Sequence, residues 1–271
     1  MICTISGKTL TAAVNTAGAE LWDLRRKEAP EEPLLWDGKK EVWPRRTPIL
    51  FPWCGPLEGG WHEAGGVRYK APQHGFMRDV EHTLAEQGED YVLLRYDWPG
   101  DGEKYPWAFS FTTRHELKGN EAVTTCTAVN TGAAPMPAQL GFHPGLRCPF
   151  TPGKSLADYF IRFQRPEAPG NTDIFPLDEH SFENDSICFP GLKSEWIQLE
   201  ERDTGRFLRV ETKGWPFTLL WSKPGVPGFV CIEPWTGYQM AKGHDLAARP
   251  GAVLLRPGES LTGVQRITVG L

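Results

Sequence analysis

Turn-forming residues interrupt this chain at short intervals, and this feature restricts its fold more than any other. The 271 residues include 29 glycines and 24 prolines, about a fifth of the chain, and both residue types end helices and mark turns. No window of a dozen residues carries a clean helical period, and no internal repeat or low-complexity linker is visible. The sequence therefore predicts an all-β fold, a large antiparallel β-sandwich that forms one domain over residues 1–271.

Short segments rich in β-branched and aromatic residues support this fold class. Residues 9–26 alternate, break at Gly18 and predict two strands joined by a turn that opens the fold. Strands over residues 91–98, 107–117 and 121–130 are expected to be adjacent and antiparallel. Later strands are predicted over residues 196–200, 207–212, 217–222, 229–232, 252–256 and 261–269. Residues 42–63 predict a long irregular loop, and the mixed pattern of residues 149–192 predicts no particular structure.

Charge and cysteine usage narrow the class of partner. The formal net charge is -5, whereas a nucleic-acid-binding protein needs a clustered basic face. The six cysteines form no C-x-x-C pair and no run with metal-ligand spacing. Neither a secretory signal nor an apolar run of about 20 residues is apparent. We therefore expect a cytoplasmic monomer or homodimer with free thiols, a small-molecule partner, and no nucleic acid, membrane, metal or cofactor.

Three short segments concentrate reactive side chains in a glycine- and proline-rich setting. They are QHGFMR with His74, GFHP with His143, and CIEPW with Glu233. His143 and Glu233 each precede a proline, which favours extended backbone and places them where a strand meets a bend. Glu233 follows an apolar run, where an unpaired carboxylate is costly to bury, so it needs a partner or a polar cleft. A carboxylate and imidazoles can exchange acid and base roles near neutral pH without a metal.

These segments belong to a longer series of motifs that resembles the aldose 1-epimerase (galactose mutarotase-like) family, especially its small bacterial mutarotase-related branch. The anchors are PRRTPILFPWCGPL, QHGFMRD, LGFHPGLRCPF, FENDSICF, CIEPWTG and RPGAVLLRPGESLTGVQRITV, in this order. The resemblance covers most of the chain. It implies a galactose mutarotase-like supersandwich whose concave face holds a sugar, and an isomerase that interconverts the α and β anomers of a hexose.

The resemblance also implies roles for the reactive side chains. Glu233 would be the general base on the anomeric hydroxyl, and His143 the general acid on the ring oxygen. His74 would polarise or orient the ring-oxygen side of the sugar. Together they would open and reclose the ring without a metal.

Substrate-binding residues follow from the same resemblance. Arg46 and Arg78 are both expected to bind the sugar, and the part of Arg46 in binding hydroxyls could instead be taken by Arg45 or Arg78. Asp185, from the middle of the chain, is expected to bind hydroxyls as well, and Trp235 is a candidate platform for stacking on the sugar ring.

Three other functions remain open at this stage. A hexose-6-phosphate 1-epimerase would use Arg45, Arg46 and Arg78 to hold the phosphate. A carbohydrate-binding protein on the same fold would recognise sugar without turnover, although binding alone needs no acid and base. A glycoside hydrolase would use Glu233 and Asp185 as its carboxylate pair, which leaves the histidines without a role.

Overall fold

The regular structure is almost entirely β, in a computed structural model that describes residues 1–100, 102–167, 170–226, 228–239 and 242–270. The helices of these residues are four three-residue 3-10 turns, Glu58–Gly60, Met77–Asp79, Leu156–Asp158 and Leu246–Ala248, and none is long and apolar enough to cross a membrane. The strands are β1 (Ile2–Ser6), β2 (Leu10–Asn15), β3 (Glu20–Arg26), β4 (Ala29–Pro33), β5 (Ile49–Leu50), β6 (Trp61–Ala64), β7 (Val67–Lys70), β8 (Thr83–Gln87), β9 (Tyr91–Trp98), β10 (Phe109–Lys118), β11 (Glu121–Asn130), β12 (Met136–Ala138), β13 (Gly141–Phe142), β14 (Gly145–Cys148), β15 (Tyr159–Glu167), β16 (Thr172–Pro176), β17 (Ile187–Pro190), β18 (Trp196–Glu201), β19 (Phe207–Glu211), β20 (Phe217–Trp221), β21 (Gly228–Trp235), β22 (Val253–Leu255) and β23 (Ser260–Gly270).

Two large sheets form the sandwich. The nine-stranded sheet has the order β16-β15-β18-β19-β23-β11-β10-β9-β8, and the other has the order β17-β20-β21-β13-β5, with β14 also paired to β21. The two sheets touch where β18 contacts β21, while the four-stranded sheet β1-β2-β3-β4 packs on β9 and β10. This architecture confirms the predicted all-β class with large antiparallel sheets.

Alternation of burial along the strands shows why the sequence forms these sheets. In β10, every second side chain from Phe109 to Leu117 is buried, and the residues between them are half-buried. The apolar ones, Phe109, Phe111 and Leu117, join a hydrophobic cluster that contains residues from Cys3 near one end of the chain to Val269 near the other. Burying this continuous apolar surface is the main favourable contribution to folding.

Most predicted strands are confirmed to within a few residues. The predicted pair in residues 9–26 is β2 and β3, joined through Gly18, and the three strands after residue 90 are β9, β10 and β11, adjacent and antiparallel. The fold does not open with this hairpin, because β1 precedes it and pairs with β2. Residues 42–63 are mostly irregular but contain β5 and the start of β6, and residues 149–192 contain β15, β16 and β17.

Strand β21 is buried on both faces and separates two environments. Its side chains Val230 and Ile232 belong to the main hydrophobic cluster, whereas Cys231 packs in a separate cluster with Trp36. Because side chains alternate along a strand, Glu233 lies on the same face as Cys231. This second face of β21 forms part of a cleft.

Candidate active site

The break between β13 and β14 brings His143 to Glu233. Gly145 of β14 pairs with Cys231 of β21, and the same antiparallel register places His143 opposite Glu233. Nε2 of His143 lies 3.2 Å from Oε2 of Glu233. Only 7% of His143 and 1% of Glu233 are exposed, so the two groups face each other largely shielded from water.

His74 reaches the same place through an unusual backbone segment. Both His74 and Gly75 have positive φ angles, 67° and 73°, and Gly75 forms a parallel bridge with Phe51, the residue that follows β5. The backbone N–H of Gly55 donates to Nδ1 of His74 at 3.0 Å. Because Nδ1 accepts this hydrogen bond, the neutral ring carries its proton on Nε2 and can donate it to a ligand.

A second layer of buried polar groups holds the loop that fixes His74. Gln139 accepts a hydrogen bond from the backbone N–H of Cys54 at 3.0 Å. Arg249, 4% exposed, donates to the backbone carbonyls of Cys54 and Pro56 and, at 3.2 Å, to Gln139. Residues 54–56 are therefore held from both sides while Gly55 positions the imidazole. Second-layer hydrogen bonds of this kind keep an active-site group in one geometry.

The three side chains line a cleft of about 270 Å³. This volume lies just below the range of roughly 300–1,000 Å³ that is typical of small-molecule sites, and it suits one monosaccharide better than a longer ligand. Arg78, Asp185 and Trp235 line the same cleft. Six of the seven residues proposed from the sequence are thus brought together.

Arg46 is the one proposed site residue that the structure places elsewhere. Its guanidinium carbon lies 4.3 Å from the centre of the Trp22 ring, and Nη1 donates to the Trp22 carbonyl at 2.6 Å. Arg45 is also engaged, with Asp79. The arginine that lines the cleft is Arg78, the other alternative that the sequence left open.

Burial controls the protonation of the central pair. Desolvation raises the pKa of Glu233 well above its usual range, and the charge of Asp185 raises it further, whereas the nearby indole N–H of Trp235 acts in the opposite direction. Desolvation, assisted by the positive charge of Arg78, lowers the pKa of His143 to about 3. Both effects favour the uncharged forms of the pair.

Two further groups of the cleft, His74 and Arg78, have shifted pKa values for related reasons. Desolvation lowers the pKa of His74 well below its usual range, with smaller contributions from His143 and two arginines, so His74 is neutral near pH 7. Desolvation also lowers the pKa of Arg78 to about 10, which leaves it charged. One Nη of Arg78 donates to the Gln73 carbonyl at 2.7 Å, while its Nε has no hydrogen-bond partner among the described residues.

Several groups at the cleft were not proposed from the sequence. The ring of Trp43 lies 4.9 Å from that of His143, and the ring of Trp221 lies 5.5 Å from it. The two indole rings also lie 5.5 Å from each other, so both pack against the imidazole and against one another. Lys223 adds a second positive charge to the lining. Trp43 could be found from its position in the irregular loop of residues 42–63, whereas nothing in the local sequence marks Lys223.

Among the described residues, His143, Glu233 and Cys231 are also close enough together to hold a metal ion.

Comparisons with known proteins agree with this arrangement. A model of the aldose 1-epimerase family matches residues 1–268. The plasmid-encoded protein LacX of Lactococcus lactis subsp. lactis is 27% identical across 99% of each chain. A galactose mutarotase related enzyme from Lactobacillus acidophilus has a similar structure, with a TM-score of 0.90, 23% identity, and coverage of 99% of this chain and 97% of the other. A galactose mutarotase-like protein from Lactobacillus casei gives a TM-score of 0.89 at 21% identity, covering 99% and 100% of the two chains.

Proposed function

The chain belongs to the aldose 1-epimerase family, and we propose that it interconverts the α and β anomers of a free hexose by acid–base opening of the sugar ring. The observation that carries this proposal is the buried contact of 3.2 Å between His143 Nε2 and Glu233 Oε2. The pair lies in a cleft of monosaccharide size, where an acid and a base must both reach one sugar. The reaction needs no metal.

The proposed chemistry moves two protons. Glu233 removes the proton of the anomeric hydroxyl, His143 protonates the ring oxygen, and the bond between the anomeric carbon and the ring oxygen breaks to give the open-chain aldehyde. Rotation about the bond between the first two sugar carbons presents the other face of the aldehyde. The reverse proton transfers then close the ring as the opposite anomer and restore both side chains.

The pair needs only one proton in total to begin this cycle. Burial favours the state with the proton on Glu233 and none on His143. Moving that proton across the short contact gives the carboxylate and imidazolium that start the reaction. Sugar hydroxyls that donate to Glu233 would favour this charged state, because they replace the hydrogen bonds to water that the carboxylate lost on burial.

We assign His74 to charge stabilisation. Its Nε2–H is fixed by the hydrogen bond from Gly55 to Nδ1, and its low pKa keeps the ring a neutral donor near pH 7. A donor held in place in a site shielded from water stabilises charge that develops on oxygen during the reaction. Arg78, Asp185 and Trp235 would bind and orient the other parts of the sugar.

A hexose 6-phosphate is the second candidate substrate, because two cations, Arg78 and Lys223, line the cleft. The phosphate site expected from the sequence is weakened by the positions of Arg45 and Arg46, which bind Asp79 and Trp22 instead. Inorganic phosphate separates the two candidates: competition with the sugar at millimolar concentrations favours the phosphorylated substrate, and absence of competition favours the free hexose.

Polarimetry tests the proposal directly. Freshly dissolved α-D-glucose and α-D-galactose are followed with wild type, Glu233→Gln and His143→Ala. We expect wild type to accelerate the approach to equilibrium and each variant to be slower by roughly 10²- to 10⁴-fold, which corresponds to about 3–5 kcal/mol of barrier. A loss below threefold at both positions contradicts the assignment of acid and base.

Glu167→Gln is the matched control. Glu167 is also buried, at 8% exposure, and a single oxygen, Oε1, accepts hydrogen bonds from the backbone of Lys193 and Ser194 and from the Ser194 hydroxyl. The amide oxygen of glutamine can take over these bonds, so this variant should keep nearly full activity.

We also place the reaction in the cytoplasm, a proposal supported by the six free thiols.

A further inference from the structure

The thiol of Cys231 lies beside the acid–base pair but has no part in the proposed reaction. Its side chain is fully buried on the face of β21 that also carries Glu233. Cys231 Sγ, a ring nitrogen of His143 and a carboxylate oxygen of Glu233 all lie within 4.8 Å of one another. A sulfur, a nitrogen and an oxygen donor therefore converge in one place.

These donor types and their spacing fit zinc. Zinc binds thiolate, imidazole and carboxylate, and tetrahedral coordination at the usual bond lengths places neighbouring donor atoms about 3.3–3.6 Å apart. The contact between His143 and Glu233 already measures 3.2 Å. Since the three donor atoms lie within 4.8 Å of one another, the sulfur has to approach by at most about 1.5 Å to reach this spacing.

The unpaired state of these groups also points to a ligand. Oε2 of Glu233 is buried and, although Nε2 of His143 lies 3.2 Å away, it makes no hydrogen bond of good geometry among the described residues. A buried oxygen of this kind is costly unless something compensates it. A divalent cation bound by one carboxylate, one thiolate and one neutral imidazole gives a site with no net charge, which removes the cost of burying two separate anions.

We propose that Cys231, His143 and Glu233 bind a zinc ion, and that this ion inhibits the enzyme. The thiol proton, and the proton of Glu233 where it is present, leave to solvent when the ion binds. The fourth position faces the cleft and is filled by water. The inhibition rests on the proposed function, because zinc occupies the lone pairs that Glu233 and His143 would use for proton transfer. The binding of zinc does not rest on it.

The charges of the cleft affect the approach of the ion in opposite directions. Arg78 and Lys223 line the cleft and repel a cation, whereas Asp185 at its exposed side attracts one. His143 packs against two tryptophans, and its Nδ1 has no hydrogen-bond partner among the described residues, so the hydrogen bond that supports a histidine in structural zinc sites is missing. We therefore expect zinc to bind reversibly, in the micromolar range.

Cobalt(II) serves as a spectroscopic probe of the site, because a thiolate bound to cobalt gives a charge-transfer absorption in the near ultraviolet. We expect this absorption with the wild-type protein and its loss when zinc is added in excess. Cys231→Ser should lack the absorption. Cys126→Ser is the matched control, because Cys126 is an equally buried free thiol whose partner is Thr113, and it should bind cobalt as wild type does.

Polarimetry with added zinc, normalised to the activity of each variant without zinc, tests the inhibition. We expect Cys231→Ser to need at least tenfold more zinc for half-inhibition, Asp185→Asn to need a few-fold more, and a chelator to restore wild-type activity. No thiolate absorption in the wild type, or equal zinc sensitivity of wild type and Cys231→Ser, would overturn the proposal. If the protein has no mutarotase activity, the cobalt spectra still decide whether the site exists, and the failure lies with the proposed reaction.

Discussion

A methyl group added to Gly75 should damage both stability and activity, because Gly75 lies where His74 enters the site. The Cβ of an alanine at this position would come within 2.0 Å of the Phe51 carbonyl oxygen, and its φ angle of +73° is unfavourable for alanine. The left-handed backbone costs about 1–2 kcal/mol, and the forced displacement of the backbone adds about 1–3 kcal/mol. Gly75→Ala should therefore lower the free energy of unfolding by about 2–5 kcal/mol.

Gly66→Ala separates the two contributions. Gly66 has a similar φ angle, +77°, but nothing lies within 4 Å of an added Cβ, so this variant should lose only the 1–2 kcal/mol of the left-handed conformation. Urea unfolding gives both free energies, and polarimetry gives the activities. The Phe51 carbonyl has to move by about an ångström, and a shift of this size at a catalytic group costs up to about 10²-fold in rate. Equal losses of stability in the two variants, or full activity of Gly75→Ala, would refute this reasoning.

Two further predictions concern a buried histidine of β10 and the arginine behind the loop that fixes His74. Burial lowers the pKa of His115 to about 4 in the folded state, so the unfolded chain binds more protons below pH 6.5. Stability is therefore lost as the pH falls from about 6.5 to 4, by roughly 1–3 kcal/mol for this residue. His115→Leu should reduce the slope of unfolding free energy against pH, and an unchanged slope in urea titrations would contradict this. Arg249→Lys removes the guanidinium that binds the carbonyls of Cys54 and Pro56 and so loosens the loop that fixes His74. We expect kcat to fall about tenfold with a smaller change in KM, because His74 stabilises the transition state more than the bound sugar. Steady-state kinetics that show only a raised KM would exclude this positioning role.

The long strands could be predicted from the sequence because their alternation is local information. β10 buries every second residue, and a period of two is visible without any knowledge of the partner strand. β5 and β13 have two residues each, too few to show a period. They form only because β21 is already in place beside β13, and β13 in turn pairs with β5. The pairing that sets His143 opposite Glu233 therefore could not be read from composition or spacing. The proline after His143 does mark the break between β13 and β14, whereas the bend expected at Glu233 is wrong, because β21 continues through Pro234 to Trp235.

The choice among arginines failed for a related reason. Arg46 and Arg78 both lie in segments that resemble the family motifs, and the residue types alone do not tell which side chain faces the cleft. The direction of Arg46 is decided by a distant residue, Glu20, whose carboxylate accepts hydrogen bonds from the backbone of Arg46 and Thr47. Only the folded chain brings Glu20, at the start of β3, to this loop. The sequence does not mark Cys231 as a candidate metal ligand, because a single cysteine two residues from a glutamate indicates no site until the fold places a histidine opposite them.

Glu20 also explains how the sheet tolerates a break at its active site. Between β13 and β14 the backbone N–H of His143 bonds to the Pro48 carbonyl at 3.2 Å, as the N–H of Gly145 bonds to the Arg46 carbonyl, and Pro144 has no N–H to offer to β21. The facing loop is then left with backbone donors at residues 46 and 47, which the Glu20 carboxylate satisfies. Unpaired buried donors would each cost about 1–3 kcal/mol. The N-terminal sheet thus supplies the hydrogen bonds that the interrupted sheet lacks, and the interruption is what frees His143 and Glu233 to meet across the cleft.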